Sequence, residues 1–384
     1  MAEWIECSIG DLCSTISDTY KGNDEYVVLV NTSDVLEGKV LNHEKVANKN
    51  LKGQFKKTFK RDDILYSEIR PANKRFAYID FESTSNYIAS TKLMVLRHNE
   101  KVLPEYLFAL LKSNYVIAEL QHLAETRSGT FPQITFSSEL APMKVLLPDK
   151  DTQKRIVSIL SSIEQKIDKN NEINNNLEQQ AQAIYQQMFI DNVSSDWTKG
   201  TLSDIADITM GQSPSGSSYN EDGKGTIFFQ GRAEFGFRFP TIRLYTTEPK
   251  RMACANDTLM SVRAPVGDLN VAHTDCCIGR GLAAIHSKNN HQSFVLYTMF
   301  SLKKQLDVFN GEGTVFGSIN RNSLNEMPLL IPSSEKFDEF EALVAPMDAA
   351  IRNNYDEICR LEQLRDSLLP KLMSGELDVS DIDL

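Results

Sequence analysis

The sequence predicts an α+β protein made by tandem duplication: two similar globular domains joined by two long helices that form an antiparallel coiled coil, the whole pseudo-two-fold symmetric. Three observations predict it. Landmarks in the first half recur in the same order in the second, two stretches carry a sustained heptad pattern, and short β-rich runs alternate with helices inside each half.

The repeat decides the architecture. Residues 4–12 (WIECSIGDL) match residues 197–205 (WTKGTLSDI), and residues 63–71 (DILYSEIRP) match residues 257–265 (DTLMSVRAP). Gly129-Thr130 and the apolar stretch ending at Pro148 match Gly313-Thr314 and the stretch ending at Pro332. The heptads follow. Spaced alternately by four and three, positions 156 to 188 read Ile, Leu, Ile, Ile, Asn, Asn, Leu, Ala, Ile, Met. Positions 340 to 372 read Phe, Val, Met, Ile, Asn, Ile, Leu, Arg, Leu, Leu. Such a seam is the signature of a coiled coil.

Each helix would be roughly 50 Å long. Off the seam, residues 166–182 carry almost no apolar side chains, so the other helix is the expected partner rather than the helix's own domain. Antiparallel pairing sets Asn174 opposite Asn354, either as a buried pair that fixes register or at a solvated, frayed centre. Pro346 is expected to kink the first turns of the second helix or delay its start.

In the first half, strands are expected at Tyr26–Val30, Ile64–Ser67, 76–79 and 92–96, then a helix over 104–120 with Pro at its first position. In the second, strands are expected at 226–230, 257–262 and 282–286, then a helix over 292–310. The division is a first domain over 1–150, a central helical spacer over 151–192, a second domain over 193–334, and a C-terminal helical spacer and tail over 335–384.

With 41% apolar residues the 384-residue chain can bury real cores. Its net charge of −11 is unevenly spread: residues 335–384 carry 13 acids and 5 bases, whereas 1–148 and 197–334 are near neutral. That distribution allows a DNA-binding face. No stretch approaches the roughly 20 apolar residues of a membrane span, and the start lacks a signal-like pattern, so a cytoplasmic location is expected. Six cysteines without C-x-x-C spacing read as reduced thiols. No Walker A, H-E-x-x-H, G-x-S-x-G or Asn-Pro-Pro-aromatic motif occurs, and the glycines at 311, 313 and 317 have the spacing of a turn. No catalytic residue, metal site or cofactor is therefore expected on this chain.

What remains are polar and basic loop residues at matching places. Residues 45–61 hold seven bases interleaved with Phe55 and Phe59; Lys56, Lys57, Lys60 and Arg61 are read as phosphate contacts, with a plain solvated surface as the alternative. Arg70, Lys74 and Arg75 in the first half, and Arg263 in the second, lie past a strand end beside a proline turn. Arg127, Thr130 and Gln133 are set against Thr314, Ser318, Asn320 and Arg321. Asn31, Lys92, Gln230, Arg232 and Arg280, at or next to expected strands, complete the candidates. These side-chain types read base edges or grip phosphates.

With these landmarks the chain resembles, over essentially its full length, the specificity subunits of type I restriction–modification systems. The resemblance rests on the Trp-to-Asp start of each half, the D-x-L-x-S turn, the Gly-Thr loop, Pro148, Gln153 and Ile156 at the helix start, and the ending LMSGEL (372–377). It departs at Glu335-Lys336, where the family usually has Glu-Gln. The resemblance implies two target-recognition domains, each reading one half of an asymmetric bipartite DNA sequence, with the coiled coil as a ruler. It implies double-stranded DNA and two methyltransferase subunits as partners, with restriction subunits attached through them. S-adenosylmethionine, ATP and Mg²⁺ would sit on those partners, and this chain would be non-catalytic. A coiled-coil scaffold with two ligand-binding domains and no DNA role is the alternative.

Overall fold

A computed structural model describes residues 4–49, 51, 53–126, 132–311, 317–380 and 382. Two long helices run through Lys150–Tyr185 and Ser334–Ser374. The chain forms two compact units, one of residues 1–168 with 358–384 and the other of residues 169–357. Each unit thus takes a portion of both helices, so compactness divides the chain differently from its linear order.

In the first unit, strand Trp4–Ser8 pairs antiparallel with Lys144–Pro148. One four-stranded sheet has the order Cys13–Ile16, Leu93–His98, Ile64–Ser67, Phe76–Tyr78, and another has Lys45–Ala47, Tyr26–Val30, Tyr87–Ser90, Phe55–Lys57. The second unit repeats this strand order, with one more strand at the edge of its last sheet. Thr198–Thr201 pairs with Pro328–Ile331, and a sheet runs Ala206–Met210, Leu282–Ser287, Thr258–Ser261, Leu269–Val271. Its last sheet runs Tyr219–Asn220, Leu244–Thr246, Thr226–Phe229, Cys276–Ile278, Met252–Ala253. Each unit has one parallel pair at the same place: Tyr87–Ser90 on Tyr26–Val30, and Cys276–Ile278 on Thr226–Phe229.

The repeated polar landmarks are turn locks. The Ser8 and Thr201 backbone N–H groups donate to Asp11 Oδ2 (2.9 Å) and Asp204 Oδ2 (2.7 Å), a capping box at the same place in both units. Buried Asp63 accepts from the Lys60 N–H and from two nitrogens of Arg97, each at 2.7 Å. Buried Asp257 accepts from the Cys254 N–H and contacts His286 Nδ1. Each turn is thereby fixed immediately before the strand that leads to the candidate arginines.

The helix expected over 104–120 is two helices, Pro104–Leu111 and Asn114–Thr126, because the Ser113 hydroxyl accepts the Val116 N–H and starts the second. That expected over 292–310 is likewise broken, into Gln292–Ser301, Lys303–Asp307 and a final tight turn. Pro346 neither delays the C-terminal helix nor ends it. Phe340, Val344 and Ile351, all at most 1% exposed, hold the helix against the second unit's core and outweigh the roughly 3 kcal/mol that an interior proline costs.

The helices meet their own domains as well as each other. Ile156, Leu160, Leu369 and Leu372 lie in the first unit's main core with Leu107, Leu110 and Leu147. Ala181, Tyr185, Phe340 and Val344 lie in the second unit's core with Phe294 and Tyr297. No seam position is exposed. In the second unit Asn354 Nδ2 donates to Asn174 Oδ1 at 2.8 Å, and Asn170 Nδ2 donates to Glu357 Oε2 at 2.7 Å. Of the two readings of Asn174, the buried pair is the one observed. Smaller second cores lie between the sheets, around Val28, Leu65 and Val95 in the first unit and around Phe229, Leu259 and Ile278 in the second.

Candidate nucleic-acid interface

In each unit the end of one strand, the start of its neighbour and the segment after the Gly-Thr loop are stitched together by main-chain bonds. In the second, Gly279 N donates to Phe229 O (2.8 Å) and Val262 N to Gly281 O (2.9 Å). Ile319 N donates to Val262 O (3.1 Å), Ala264 N donates to Gly317 O (3.0 Å), and Arg263 bridges to Ser318. In the first, Glu68 N donates to Lys92 O (3.0 Å), Ile134 N to Glu68 O (2.9 Å) and Arg70 N to Pro132 O (3.1 Å), with Ile69 bridged to Gln133. The same clamp is built twice.

Glycine makes the second edge possible. A Cβ on Gly279 or Gly281 would lie 2.8 or 2.9 Å from Gln230 O, so the Gly-Arg-Gly stretch alone lets Arg280 pass beside Gln230. Gln230, Arg263, Arg280 and Ser318 are all exposed there. Among the described residues no side-chain partner holds Arg263 or Arg280, so both guanidiniums keep their donors for a ligand.

Two residues outside the sequence reading join them. Gln212 N donates to Ile278 O (3.0 Å) and Ser213 Oγ accepts the Arg280 N–H (3.3 Å). The signal was Gly211, where a Cβ would sit 2.1 Å from Gly279 O. A glycine between a strand and Gln-Ser-Pro marks such a close approach.

The other candidates separate into two groups. Several are engaged in the fold. Asn31 caps a turn, accepting the Thr32 N–H, and Asn320 does the same for the Ser323 N–H. Lys57 donates to the Thr91 and Leu93 carbonyls, and burial pulls its ammonium below the usual lysine range. Arg75 donates to the Ser33 and Val35 carbonyls, Arg61 pairs with Glu82 at 2.6 Å, and Arg232 pairs with Asp268. Lys92 and Lys74 make looser pairs, with Glu68 at 3.6 Å and Glu37 at 3.3 Å. Residues 45–61 are not one phosphate-binding loop, since they supply both edge strands of a sheet and Phe59 lies in the core. Lys56, Lys60 and Arg321 remain exposed, and Arg70 is exposed while making a contact of its own. Arg127, Thr130 and Thr314 lie outside the described residues.

Arg70 has φ +46 and Lys74 φ +51, left-handed conformations that non-glycine residues rarely adopt. Both flank the turn at Pro71–Asn73 beside the clamp. Strain of this kind concentrates where function demands a particular side-chain direction. Among the described residues no cluster of His, Cys, Asp or Glu is placed to hold a metal, and no helix is long and apolar enough to cross a membrane. The Cys13 and Cys276 thiols, pushed up to about 12 by burial, are poor nucleophiles.

A family model described as "Type I restriction modification DNA specificity domain" matches residues 1–179 and 194–342. The HindI specificity subunit of Haemophilus influenzae is 30% identical, the alignment covering 98% of this chain and 100% of that one. A putative MjaX specificity subunit of Methanocaldococcus jannaschii is 30% identical over 83% of this chain and 79% of its own. A type I restriction-modification S subunit from M. genitalium shares the fold, with a TM-score of 0.56 at 15% identity and coverage of 99% and 97%.

Proposed function

The chain belongs to the type I restriction–modification DNA specificity family and serves DNA sequence specificity, and from that premise we propose that each unit reads one half of an asymmetric bipartite target. The observation that carries this is the duplicated clamp. It presents Arg70 and Gln133 in one unit, and Gln230, Arg263, Arg280 and Ser318 in the other, from main chain that is already hydrogen-bonded. A preformed edge loses little conformational freedom on binding. The two edges carry different side chains, which favours different half-sites.

The two helices act as an antiparallel coiled coil that sets the gap between half-sites, a reading supported by the shared seam and by the Asn174–Asn354 bond. They also dock two methyltransferase subunits, which bring S-adenosylmethionine, and through these the restriction subunits, which use ATP and Mg²⁺. The chain itself is non-catalytic and works in the cytoplasm. The two recognition domains and the two helical spacers divide at 150, 192 and 334.

The chain purified with its methyltransferase partner should bind one bipartite DNA well above all others, with affinity falling steeply as salt rises. Mapping methylated adenines in the host genome gives the half-sites and gap directly. Equal binding to every DNA sequence would refute the proposal and leave a scaffold role.

A further inference from the structure

At one place the duplication breaks. Gly38 and Arg238 occupy the same position, each following a short turn and giving its carbonyl to the outer strand: Tyr78 N donates to Gly38 O (3.0 Å), and Val271 N to Arg238 O (2.8 Å). In the first unit the residue is glycine at φ +109, with the Phe108 ring 3.2 Å from where a Cβ would stand. In the second it is an arginine only 4% exposed.

The buried guanidinium touches both long helices. Arg238 Nη2 lies 3.0 Å from Glu178 on the central helix and 3.1 Å from the Tyr297 hydroxyl. Nη1 lies 3.3 Å from Asp348 on the C-terminal helix, and the Tyr297 hydroxyl donates to the same carboxylate at 2.9 Å. Arg352 reaches the other way, from the C-terminal helix to the His273 carbonyl (2.6 Å) and Asn256 Oδ1 (2.5 Å), its guanidinium over the Phe239 ring. The geometry is not tuned for strength. Arg238 Nε has no hydrogen-bond partner among the described residues, and Glu178 Oε2 stands off the hydrogen-bond direction. Buried ion groups of this kind add little net stability, and their best-attested use is to select one arrangement over others.

Among its described residues the first unit has no buried arginine joining its globular part to both helices. Beside the shared apolar core and Gln153, whose Oε1 accepts the Leu103 N–H at 2.8 Å, its globular part is ion-paired to the central helix by Lys39–Asp168 at 2.5 Å, with side chains 66% and 56% exposed, and by half-buried Lys112–Glu164. Exposed pairs are worth at most about 1 kcal/mol and are screened by salt. One base pair advances DNA by about 3.4 Å. Across the roughly 25 Å span of a domain this size, a tilt of about 8° moves the reading edge that far.

We propose that Arg238 is a positioning residue that fixes the second recognition domain on both helices, and so sets how strictly the gap between half-sites is read. This rests on the bipartite reading proposed above. The test uses the full complex with its methyltransferase partner on DNAs carrying the native gap or a gap one base pair shorter or longer. R238M, which keeps an unbranched apolar stem and removes the guanidinium and its charge, is expected to raise methylation of the altered-gap DNAs, relative to the native gap, at least tenfold over wild type. Binding to DNA carrying the second half-site alone should stay unchanged. K39M should leave the gap ratio as it is in wild type. If R238M does not assemble, D348N and Y297F, each removing one contact of the guanidinium, decide by the same ratio. Wild-type gap discrimination in the variants that assemble overturns the proposal. A wild-type complex that methylates no bipartite DNA overturns the bipartite reading instead.

Discussion

Arg70 sits at φ +46 between Glu68, which is bonded into the clamp, and Pro71, which is buried. Glycine would occupy that backbone without the roughly 1–2 kcal/mol that a Cβ costs there. In Arg70→Gly that relief is set against the loss of the guanidinium's own contact, so the first unit is expected to stay within about 1 kcal/mol of wild type in urea unfolding. It should still weaken binding. The loss is about 1–3 kcal/mol and confined to one base position if Arg70 reads a base, or uniform with a salt slope smaller by about 1 if it grips a phosphate. Unchanged DNA affinity would remove Arg70 from the interface. At this scale the sequence was only half legible. Composition and repeat position picked out Arg70, Arg263 and Arg280. The same criteria also picked Asn31, Asn320, Lys57 and Arg75, which the fold uses for caps and carbonyl contacts. The ambiguity is chemical, because the groups that satisfy a turn's free backbone are those that satisfy a base edge. Even the arginine pair is offset: counted from the clamp bonds, Arg70 matches Ala264 and Arg263 matches Ile69.

At the scale of elements, the long helices were the most legible feature, since a seam of ten positions is hard to produce by chance. The breaks at Ser113 and Leu302 were not, because a single capping hydroxyl or a tertiary contact decides them. The seam's polar centre makes a prediction. Asn174→Leu combined with Asn354→Leu should raise the unfolding midpoint of the second unit while weakening the preference for one register, detectable as additional cross-strand contacts in disulfide trapping. A rise in midpoint with a single trapped register would assign register to the rest of the seam. Glu341 makes another. It accepts the Ser293 and Phe294 N–H groups at 3.1 and 3.2 Å, tying the C-terminal helix to the start of Gln292–Ser301, and burial pushes its carboxyl above the usual range. Because the folded value is the higher, its contribution is complete below the ordinary glutamate pKa and is lost as pH rises through the raised one. Relative to Glu341→Gln, the wild type should lose stability over that window, read by urea unfolding at pH 4, 6 and 8. A difference that does not vary with pH would show that Glu341 titrates normally.

At the scale of the molecule, the duplication was visible from four matches in order, but the partition into compact units was not. It follows from packing rather than chain order: Leu369, Leu372 and Met373 belong to the same core as Leu12 and Tyr106. Gly375, at φ +74, packs on the Trp4 ring, and Arg155 holds the Val379 carbonyl, so the segment after the C-terminal helix closes the first unit. A chain ending at Glu357 should therefore keep residues 169–357 protected in hydrogen exchange and lose protection across residues 1–168. Equal protection of both regions would contradict the partition. The discontinuity also has a consequence in time. On the ribosome, residues 1–168 emerge first yet lack four of their core side chains until residues 369–379 have been made, whereas residues 169–357 are complete as one contiguous stretch. The domain translated first is then the last to finish folding, an inversion of the usual amino-to-carboxyl order of domain folding. Until then its apolar surface stays open to chaperones and proteases, so a premature stop late in the message would silence the half-site reader encoded at its beginning.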